Sequence, residues 1–231
     1  MTKATYYLTP NAASTAFTGT GYTPDGTIPA GAIPCTQEQA QNFQAYVPSN
    51  GEIVAAPSSV LLQQAQSAQI ALVTQGYNTA TDYVPVTING TTYQVNNTAG
   101  KQALNLSLTI TANALLQAPA WAASTEYATG SYCSVGGVIL FCSTAGESGT
   151  SAPTPPTTFG DPVTDGTCQW ELMGRKVYLK GGGFVYMTPQ QIMSAFQQGE
   201  LYLHQMSNQL ESLNAEIMAA TTVSAVQTYT F

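Results

Sequence analysis

The pattern that most restricts the fold of this sequence is a heptad repeat near its C-terminus. Thr188, Pro189 and Gln191 form an N-cap, a first helical position and a capping box, and a long helix is expected to follow. Its apolar residues recur at alternating intervals of four and three: Ile192, Phe196, Gly199, Leu203, Met206, Leu210, Leu213, Ile217 and Ala220. This period is typical of a coiled-coil seam, although one helix can also bury such a stripe inside its own chain.

The flanks of this helix favour a homo-oligomer with three or more contacting helices. Leu201 and Tyr202 lie off the seam and widen the apolar face, so a trimer is expected rather than a dimer. No Lys or Arg follows Lys180, so the salt bridges that commonly fix register are missing. Gly199 predicts a kink or a close approach. The predicted assembly seam consists of Ile192, Phe196, Leu203, Met206, Leu210, Leu213 and Ile217.

Charge is scarce throughout the chain and limits its partners. Only 7% of the 231 residues are charged, against about 25% in an average domain, and the net charge is −7. Five scattered Lys and Arg make a nucleic-acid surface unlikely to form, so no nucleic-acid partner is expected. No apolar run is long enough to span a membrane, and the first residues do not resemble a signal peptide, so we expect no membrane insertion and synthesis in a cytoplasm. Neutral polar surfaces suit self-assembly or sugar binding.

Periodicity indicates an α+β fold, because helical spacing and strand alternation both occur along the chain. A capping box at Thr36 predicts a short helix that Pro48 ends, and Pro57 begins a second helix that Gly76 closes near Gln75. We predict four regions: a small irregular N-terminal region over 1–56, a helix–hairpin–helix region over 57–120, a small all-β module over 121–174, and a hairpin plus the long heptad helix over 175–231.

The helix–hairpin–helix region has the clearest turn in the sequence. Alternating apolar residues over 83–95 flank Asn89-Gly90, which predicts a hairpin with a type I′ turn. Thr98 is the expected N-cap of a helix over 98–117. A further hairpin is expected over 177–187, around three glycines.

The predicted all-β module carries the best candidates for ligand binding. A hairpin around Gly136-Gly137 is followed by a long loop over 146–167, and both tryptophans of the chain lie near the module's ends. Aromatic faces can stack on sugar rings, but so small a module also needs aromatic residues for its own core. The candidate glycan-binding residues are Trp121, Tyr127, Tyr132, Phe141 and Trp170.

The cysteines are expected to be reduced and mostly buried. In the predicted hairpin Cys133 faces Leu140, which puts Cys142 at a diagonal distance of about 7–8 Å, beyond ordinary bridging distance. Cys168 could instead pair with either of them, whereas a zinc site made of the three cysteines lacks both the C-x-x-C spacing and a fourth ligand. We therefore expect no metal and no cofactor.

No group of residues predicts catalysis. Asp161, Asp165 and Glu171 are the nearest approach to a carboxylate pair, but turns rich in Pro and Gly usually expose such groups to solvent. His204, the only histidine, lies beside the heptad seam rather than with a nucleophile. We therefore expect a binding protein rather than an enzyme.

Three stretches of the central module resemble a small β module that is common in tail proteins of bacteriophages. They are Trp121-Ala-Ala-Ser-Thr-Glu-Tyr127-Ala-Thr-Gly130, Phe141-Cys142-Ser-Thr-Ala-Gly146-Glu-Ser-Gly149, and Val163-Thr-Asp165-Gly166-Thr-Cys-Gln-Trp170. The same pattern is similar to that of chitin-binding-type carbohydrate-binding modules. The resemblance implies a role in glycan binding for the aromatic residues of this module.

The outer segments resemble phage tail-fibre assembly and accessory proteins. At the N-terminus these are Tyr6-Tyr7-Leu-Thr-Pro and Ile28-Pro29-Ala-Gly-Ala-Ile33-Pro-Cys-Thr36-Gln-Glu-Gln. Val84-Pro-Val-Thr-Ile-Asn-Gly, Val185-Tyr-Met-Thr188-Pro-Gln-Gln and the final helix are similar to a C-terminal domain of such proteins. This resemblance implies that residues 121–174 are inserted between two halves of that domain.

Together the resemblances imply a structural or binding protein of a tailed bacteriophage. It would be associated with the tail fibre, either as a virion component or as an assembly factor made in the host cytoplasm. Its implied partners are further copies of itself, the tail-fibre protein and a host-surface glycan. The alternatives are a receptor-binding tip adhesin, a polysaccharide-degrading enzyme and a free carbohydrate-binding protein.

Overall fold

The computed structural model describes residues 5–231 and mixes helix with sheet, at 38% helical and 30% strand. This composition and the long C-terminal helix agree with the predicted α+β class. The chain forms two units: residues up to Val73 together with Ser212–Phe231, and Thr74–Glu211. Within the described range, none of the helices is both long enough and apolar enough to cross a membrane.

The first unit begins with strands that the sequence did not predict. The first three strands of the chain form an antiparallel sheet with the first strand in the middle, and the next two strands form a hairpin. The alternation of the second strand is not visible in the sequence because the strand contains glycines. Gly21 lies opposite Tyr7, and the Tyr7 ring occupies the space that a Cβ on Gly21 would need. The elements are β1 (Thr5–Pro10), β2 (Phe17–Thr23), β3 (Ile33–Cys35), α1 (Gln37–Gln41), β4 (Tyr46–Ser49) and β5 (Glu52–Ala55).

The first two helices begin as predicted but end elsewhere. Thr36 and Gln39 make the predicted capping box of α1, with reciprocal hydrogen bonds of 3.1 and 2.9 Å. This helix ends at Gln41, well before Pro48, which lies in β4. The second helix, α2 (Ser58–Thr81), continues through Gly76, since an interior glycine costs only about 1 kcal/mol.

The second unit opens with a hairpin and a helix that match their predictions. They are β6 (Tyr83–Ile88), β7 (Thr91–Asn96) and α3 (Ala99–Leu115). Asn89 and Gly90 have φ of 51° and 79°, the two positive values that a type I′ turn requires. Val84, Val86 and Ile192 belong to one buried apolar cluster of this unit, so the hairpin packs against the start of the long helix.

Six strands follow α3, and none of residues 121–174 is helical. Four of these six strands form one antiparallel sheet, in which the last strand pairs with the third. Cys133 faces Leu140 in this sheet, as predicted. The predicted loop is shorter than expected, because strands occupy both of its ends. The strands are β8 (Glu126–Tyr127), β9 (Tyr132–Val135), β10 (Val138–Thr144), β11 (Gly146–Glu147), β12 (Val163–Asp165) and β13 (Cys168–Leu172).

A third hairpin and two helices complete the chain: β14 (Arg175–Tyr178), β15 (Phe184–Met187), α4 (Pro189–Ala219) and α5 (Val223–Val226). The capping box before α4 forms as predicted. The Thr188 amide donates to Gln191 Oε1 over 2.9 Å, and the Gln191 amide donates to Thr188 Oγ1 over 3.3 Å. In the first unit, Gln66 Nε2 donates to the carbonyl oxygens of Ile217, Met218 and Ala220 over 3.1–3.2 Å.

Parts of the heptad stripe pack within the chain itself. Ile192 is buried and Leu203 packs against the apolar cluster of the second unit, while Ile217 is fully buried in the first unit. Gly199 makes the predicted close approach, since a Cβ there would lie 3.4 Å from Val84 Cγ1. Met206, Leu210 and Leu213 are half-buried, and Phe196 is 39% exposed. This packing favours an internal stripe for the residues at each end of the seam.

Candidate functional site

A buried carboxylate organises three of the five candidate aromatic residues. Asp165 is only 5% exposed, and its Oδ2 accepts hydrogen bonds from Nε1 of Trp121 and of Trp170 over 2.8 and 2.9 Å. Its Oδ1 accepts a third from the Gly149 amide over 2.8 Å. The expectation of a solvated carboxylate is therefore wrong for Asp165. We call Trp121, Tyr127, Asp165 and Trp170 the Asp165 cluster.

The rings of the Asp165 cluster are used for internal packing. Trp170 is fully buried and meets Tyr127 edge-on, with the ring centroids 4.7 Å apart. The hydroxyl of Tyr127 accepts from the Ala122 amide over 2.9 Å. Trp121 and Tyr127 are half-buried and pack against the cysteines and Trp170. Trp170 thus offers a ligand no surface, and the polar tips of all three rings already bind the chain.

Three cysteines lie in the same interior. Cys133, Cys142 and Cys168 are fully buried and free, and Cys35 is half-buried. The thiols of Cys142 and Cys168 donate to the carbonyl oxygens of Thr144 and Asp165 over 3.2 and 3.0 Å. Burial raises the pKa of Cys133 to about 12. Neutral thiols therefore form part of this core, and the described residues contain no group of His, Cys, Asp and Glu suited to hold a metal.

The other two candidates, Tyr132 and Phe141, line a cleft of about 350 Å³ in the second unit. They face each other across β9 and β10, with centroids 5.8 Å apart, and pack beside Ile139 and Met173. We call this cavity the aromatic cleft. The residues that give it its chemistry are Tyr132, Phe141, Phe159, Glu171, Arg175 and Tyr186.

A glycine sets the position of one wall of the aromatic cleft. Gly174 joins β13 to β14, and a Cβ at this residue would overlap the ring of Phe159. Phe159 comes from the loop between β11 and β12 and lies 5.5 Å from Tyr186, centroid to centroid, with 33° between the ring planes. Tyr186 is 42% exposed. The missing side chain of Gly174 therefore lets a loop residue complete an open aromatic pair.

The charged groups of the aromatic cleft are one carboxylate and one guanidinium. Glu171 is half-buried in β13, and Arg175 is exposed at the start of β14. The other described cations lie over aromatic rings: Lys101 is 4.0 Å from the Tyr178 centroid, Lys176 is 4.4 Å from that of Phe184, and Lys180 is 5.0 Å from that of Tyr83. Arg175 lines the cleft.

Sequence reasoning missed Phe159 and Tyr186. Phe159 follows a run of Pro and Thr, where no period predicts its direction. A signal did exist for Tyr186, since alternation in β15 places it on the face of Phe184, opposite Val185 and Met187. Both aromatic residues of that face are exposed, and Met187 on the other face is buried. The alternation in the sequence therefore separates the exposed aromatic face of β15 from its buried face.

A separate cavity of about 300 Å³ lies between α3 and α4, with an apolar lining. Several of its residues, including Val84, Val86 and Leu203, also belong to the core cluster of this unit or pack against it. Its amide Asn105 Nδ2 already donates to the Asn96 carbonyl over 2.9 Å. The described lining of this cavity contains one aromatic ring, that of Phe196, against four in the aromatic cleft, so it offers a ligand less surface for stacking.

The aromatic cleft carries groups that are chemically suited to binding. Its rings can stack on apolar faces, while Glu171 accepts hydrogen bonds and Arg175 donates them. Glycoside hydrolysis uses two carboxylates, and Glu171 is the carboxylate among the described lining residues. Comparisons of this chain with protein-family models, with curated proteins and with solved structures find no match.

Proposed function

We propose that this chain is a structural and binding protein of a tailed bacteriophage, associated with the tail fibre, whose aromatic cleft binds a host-surface glycan. The aromatic cleft is the observation that carries the proposal. Small-ligand sites are mostly apolar concave surfaces with a few converging polar groups. The aromatic cleft has the converging polar groups of such a site, Glu171 and Arg175, beside four aromatic rings.

The chemistry of sugars explains why such a cleft suits them. One face of a pyranose ring carries C–H groups that stack on an aromatic ring, and its rim carries hydroxyls that need hydrogen-bond partners. Tyr132, Phe141, Phe159 and Tyr186 supply the rings, while a carboxylate accepts from hydroxyls and a guanidinium donates to them.

The proposal includes an inserted all-β module over 121–174. Three features support it: the stretch is wholly non-helical, it contains a buried cluster around Trp170 and three cysteines, and it begins after α3 and ends before β14. The module supplies most of the cleft, and Arg175 and Tyr186 of the following hairpin supply the rest. An insertion of this kind would add a ligand site to an existing assembly protein.

Association with a tail fibre, and location in the virion, rest on the resemblance of the N-terminal and C-terminal segments. Further copies of this chain and the tail-fibre protein are the proposed assembly partners. Mass spectrometry of purified particles from the phage that encodes the chain tests this part. Detection at a fixed ratio to the fibre protein supports a virion component, and absence from particles that contain the fibre contradicts it.

A glycan array tests the binding function, with two glycine variants as a matched pair. In Gly174→Ala the new Cβ displaces the Phe159 ring, so we expect loss of the array signals that the unmodified chain gives. In Gly183→Ala the Cβ meets nothing within 4 Å and the backbone is extended, so the signals should remain. Equal signals from both variants would contradict the proposal, and so would a blank array.

A second variant guards against misfolding of Gly174→Ala. Tyr186→Ala removes an exposed ring and leaves the backbone pairing of β14 with β15 in place. We expect weaker glycan binding with an unchanged melting temperature. Unchanged affinity in a folded Tyr186→Ala protein would remove the aromatic cleft as the glycan site. A parallel assay for reducing ends released from host polysaccharide tests the enzymatic alternative.

A further inference from the structure

A second cavity adjoins the aromatic cleft. Its volume is about 220 Å³, and it shares Phe159, Leu172 and Tyr186 with the aromatic cleft. The Phe159–Tyr186 pair therefore forms a wall common to both cavities. The remaining polar residues of this second cavity, which we call the polar cavity, are Asn89, Thr91, Tyr93, Thr157, Thr188 and Gln191.

The two volumes indicate a ligand that occupies both cavities. Ligand pockets typically measure about 300–1,000 Å³. The aromatic cleft is at the lower end of this range and the polar cavity lies below it, so neither accommodates a long ligand alone. A chain that crosses the Phe159–Tyr186 pair can use the two together.

The two cavities have different linings, so each could bind a different unit of one sugar chain. The aromatic cleft holds Glu171 and Arg175, whereas the described lining of the polar cavity contains hydroxyls and amides and no ionisable carboxylate or cation. Hydroxyls and amides each both donate and accept, which matches sugar hydroxyls. Thr91 and Thr157 are exposed, so solvent reaches this cavity from outside.

We propose that the ligand is a linear glycan of about three or more sugar units that extends from the aromatic cleft, over the Phe159–Tyr186 pair, into the polar cavity. This inference rests on the proposed glycan binding and adds the length and path of the ligand. One unit stacks in the aromatic cleft, the next lies on the shared aromatic pair, and the third places its hydroxyls among the threonines and amides. Affinity then depends on chain length.

Calorimetry with three soluble homo-oligomer series tests the inference. The probes are β-1,4-linked glucose, β-1,4-linked N-acetylglucosamine and α-1,4-linked galacturonate, each in lengths from one to six units. For the series that binds, we expect the six-unit oligomer to bind at least about tenfold more tightly than the two-unit one. Equal affinity of the two lengths would overturn the inference and leave glycan binding intact. No binding by any series would contradict glycan binding itself.

A pair of tryptophan variants tests the path of the chain. Thr91 lines the polar cavity and is exposed, so Thr91→Trp fills that cavity. Its neighbour Thr92 is also exposed and, by strand alternation, points to the opposite face, so Thr92→Trp is the matched control. We expect Thr91→Trp to remove the gain in affinity from lengthening and to leave the two-unit affinity unchanged.

Two results of that experiment would overturn the proposed path. One is that Thr91→Trp still binds the longer oligomers more tightly, to the same extent as the unmodified chain. The other is that Thr92→Trp loses this gain in affinity as completely as Thr91→Trp does. Both variants are compared by thermal melting before titration. Thr157→Trp, which fills the same cavity from the loop between β11 and β12, gives an independent repeat if Thr91→Trp is poorly folded.

Discussion

The Asp165 cluster and the aromatic cleft use similar aromatic residues in opposite ways. Around Asp165, both indole N–H groups donate to one buried carboxylate, and the phenol of Tyr127 accepts from the backbone. In the aromatic cleft, the rings meet in pairs and keep faces uncovered, with Tyr186 42% exposed. The two regions therefore differ in burial and in internal hydrogen bonding rather than in the kind of aromatic residue they contain.

The largest expected effect is the loss of the buried carboxylate. Asp165→Ala leaves the Trp121 and Trp170 indoles and the Gly149 amide without their acceptor, which should lower the free energy of unfolding by about 3–5 kcal/mol. Urea denaturation measures it. Asp161→Ala, an exposed carboxylate in the same stretch, is the control and should change stability by less than about 0.5 kcal/mol. Equal stability of the two variants would contradict the structural role of Asp165.

A smaller loss of stability is expected from Trp170→Phe. The ring remains large, but the hydrogen bond to Asp165 Oδ2 is lost, at a cost of about 1–3 kcal/mol in the free energy of unfolding. Glycan affinity should not change, because Trp170 is fully buried outside the aromatic cleft. Calorimetry with the tightest-binding hexamer and urea denaturation measure the two effects separately. If Trp170→Phe lost glycan affinity but kept its stability, Trp170 would belong to the binding site and not to the core.

Tyr186→Ala should give the opposite pattern with a smaller free-energy change. Loss of one stacking face is expected to weaken binding of the same hexamer by about 1 kcal/mol, or about fivefold in Kd. Stability should be almost unchanged, because the ring is exposed and contacts only the tilted ring of Phe159 and the edge-on ring of Phe184 among the described aromatic residues. A large loss of stability without a change in affinity would place Tyr186 with the core residues.

The smallest expected effect is a pH dependence of the free energy of unfolding, caused by Cys133, which packs with the rings of the Asp165 cluster. Burial raises the pKa of Cys133 from 9.0 to about 12, so the folded state keeps this thiol protonated where the unfolded state releases its proton. The contribution to stability is therefore complete below pH 9 and declines as pH rises from 9 towards 12. Urea denaturation at pH 7, 9 and 10 should show a steeper decline for the unmodified chain than for Cys133→Ala. Identical slopes would show that Cys133 is solvated.

Local signals in the sequence predicted much of the secondary structure. Asn89-Gly90 predicted a type I′ hairpin, and the capping boxes at Thr36 and Thr188 predicted where two helices begin. These succeed because the backbone groups involved lie within a few residues of each other. Helix ends were less predictable, as at Gly76, where α2 continues despite a propensity cost of about 1 kcal/mol.

The candidate site was only partly predictable, because it is made by distant residues. Tyr132 and Phe141 were identified within one hairpin, yet Phe159 and Tyr186 reach them only through the path of the chain around Gly174. Burial of Asp165 was also invisible, since its donors lie 44, 16 and 5 residues away along the chain. A pattern within one segment does not predict contacts between residues that are far apart in the sequence.

The most direct test of glycan binding at the aromatic cleft is an NMR titration with the hexamer that binds most tightly among the three oligomer series. The account predicts shifts in the ring resonances of Tyr132, Phe141, Phe159 and Tyr186. The two indole N–H signals, from Trp121 and Trp170, should stay in place, because both already donate to Asp165. Shifts of the indole signals with unchanged cleft resonances would contradict the account.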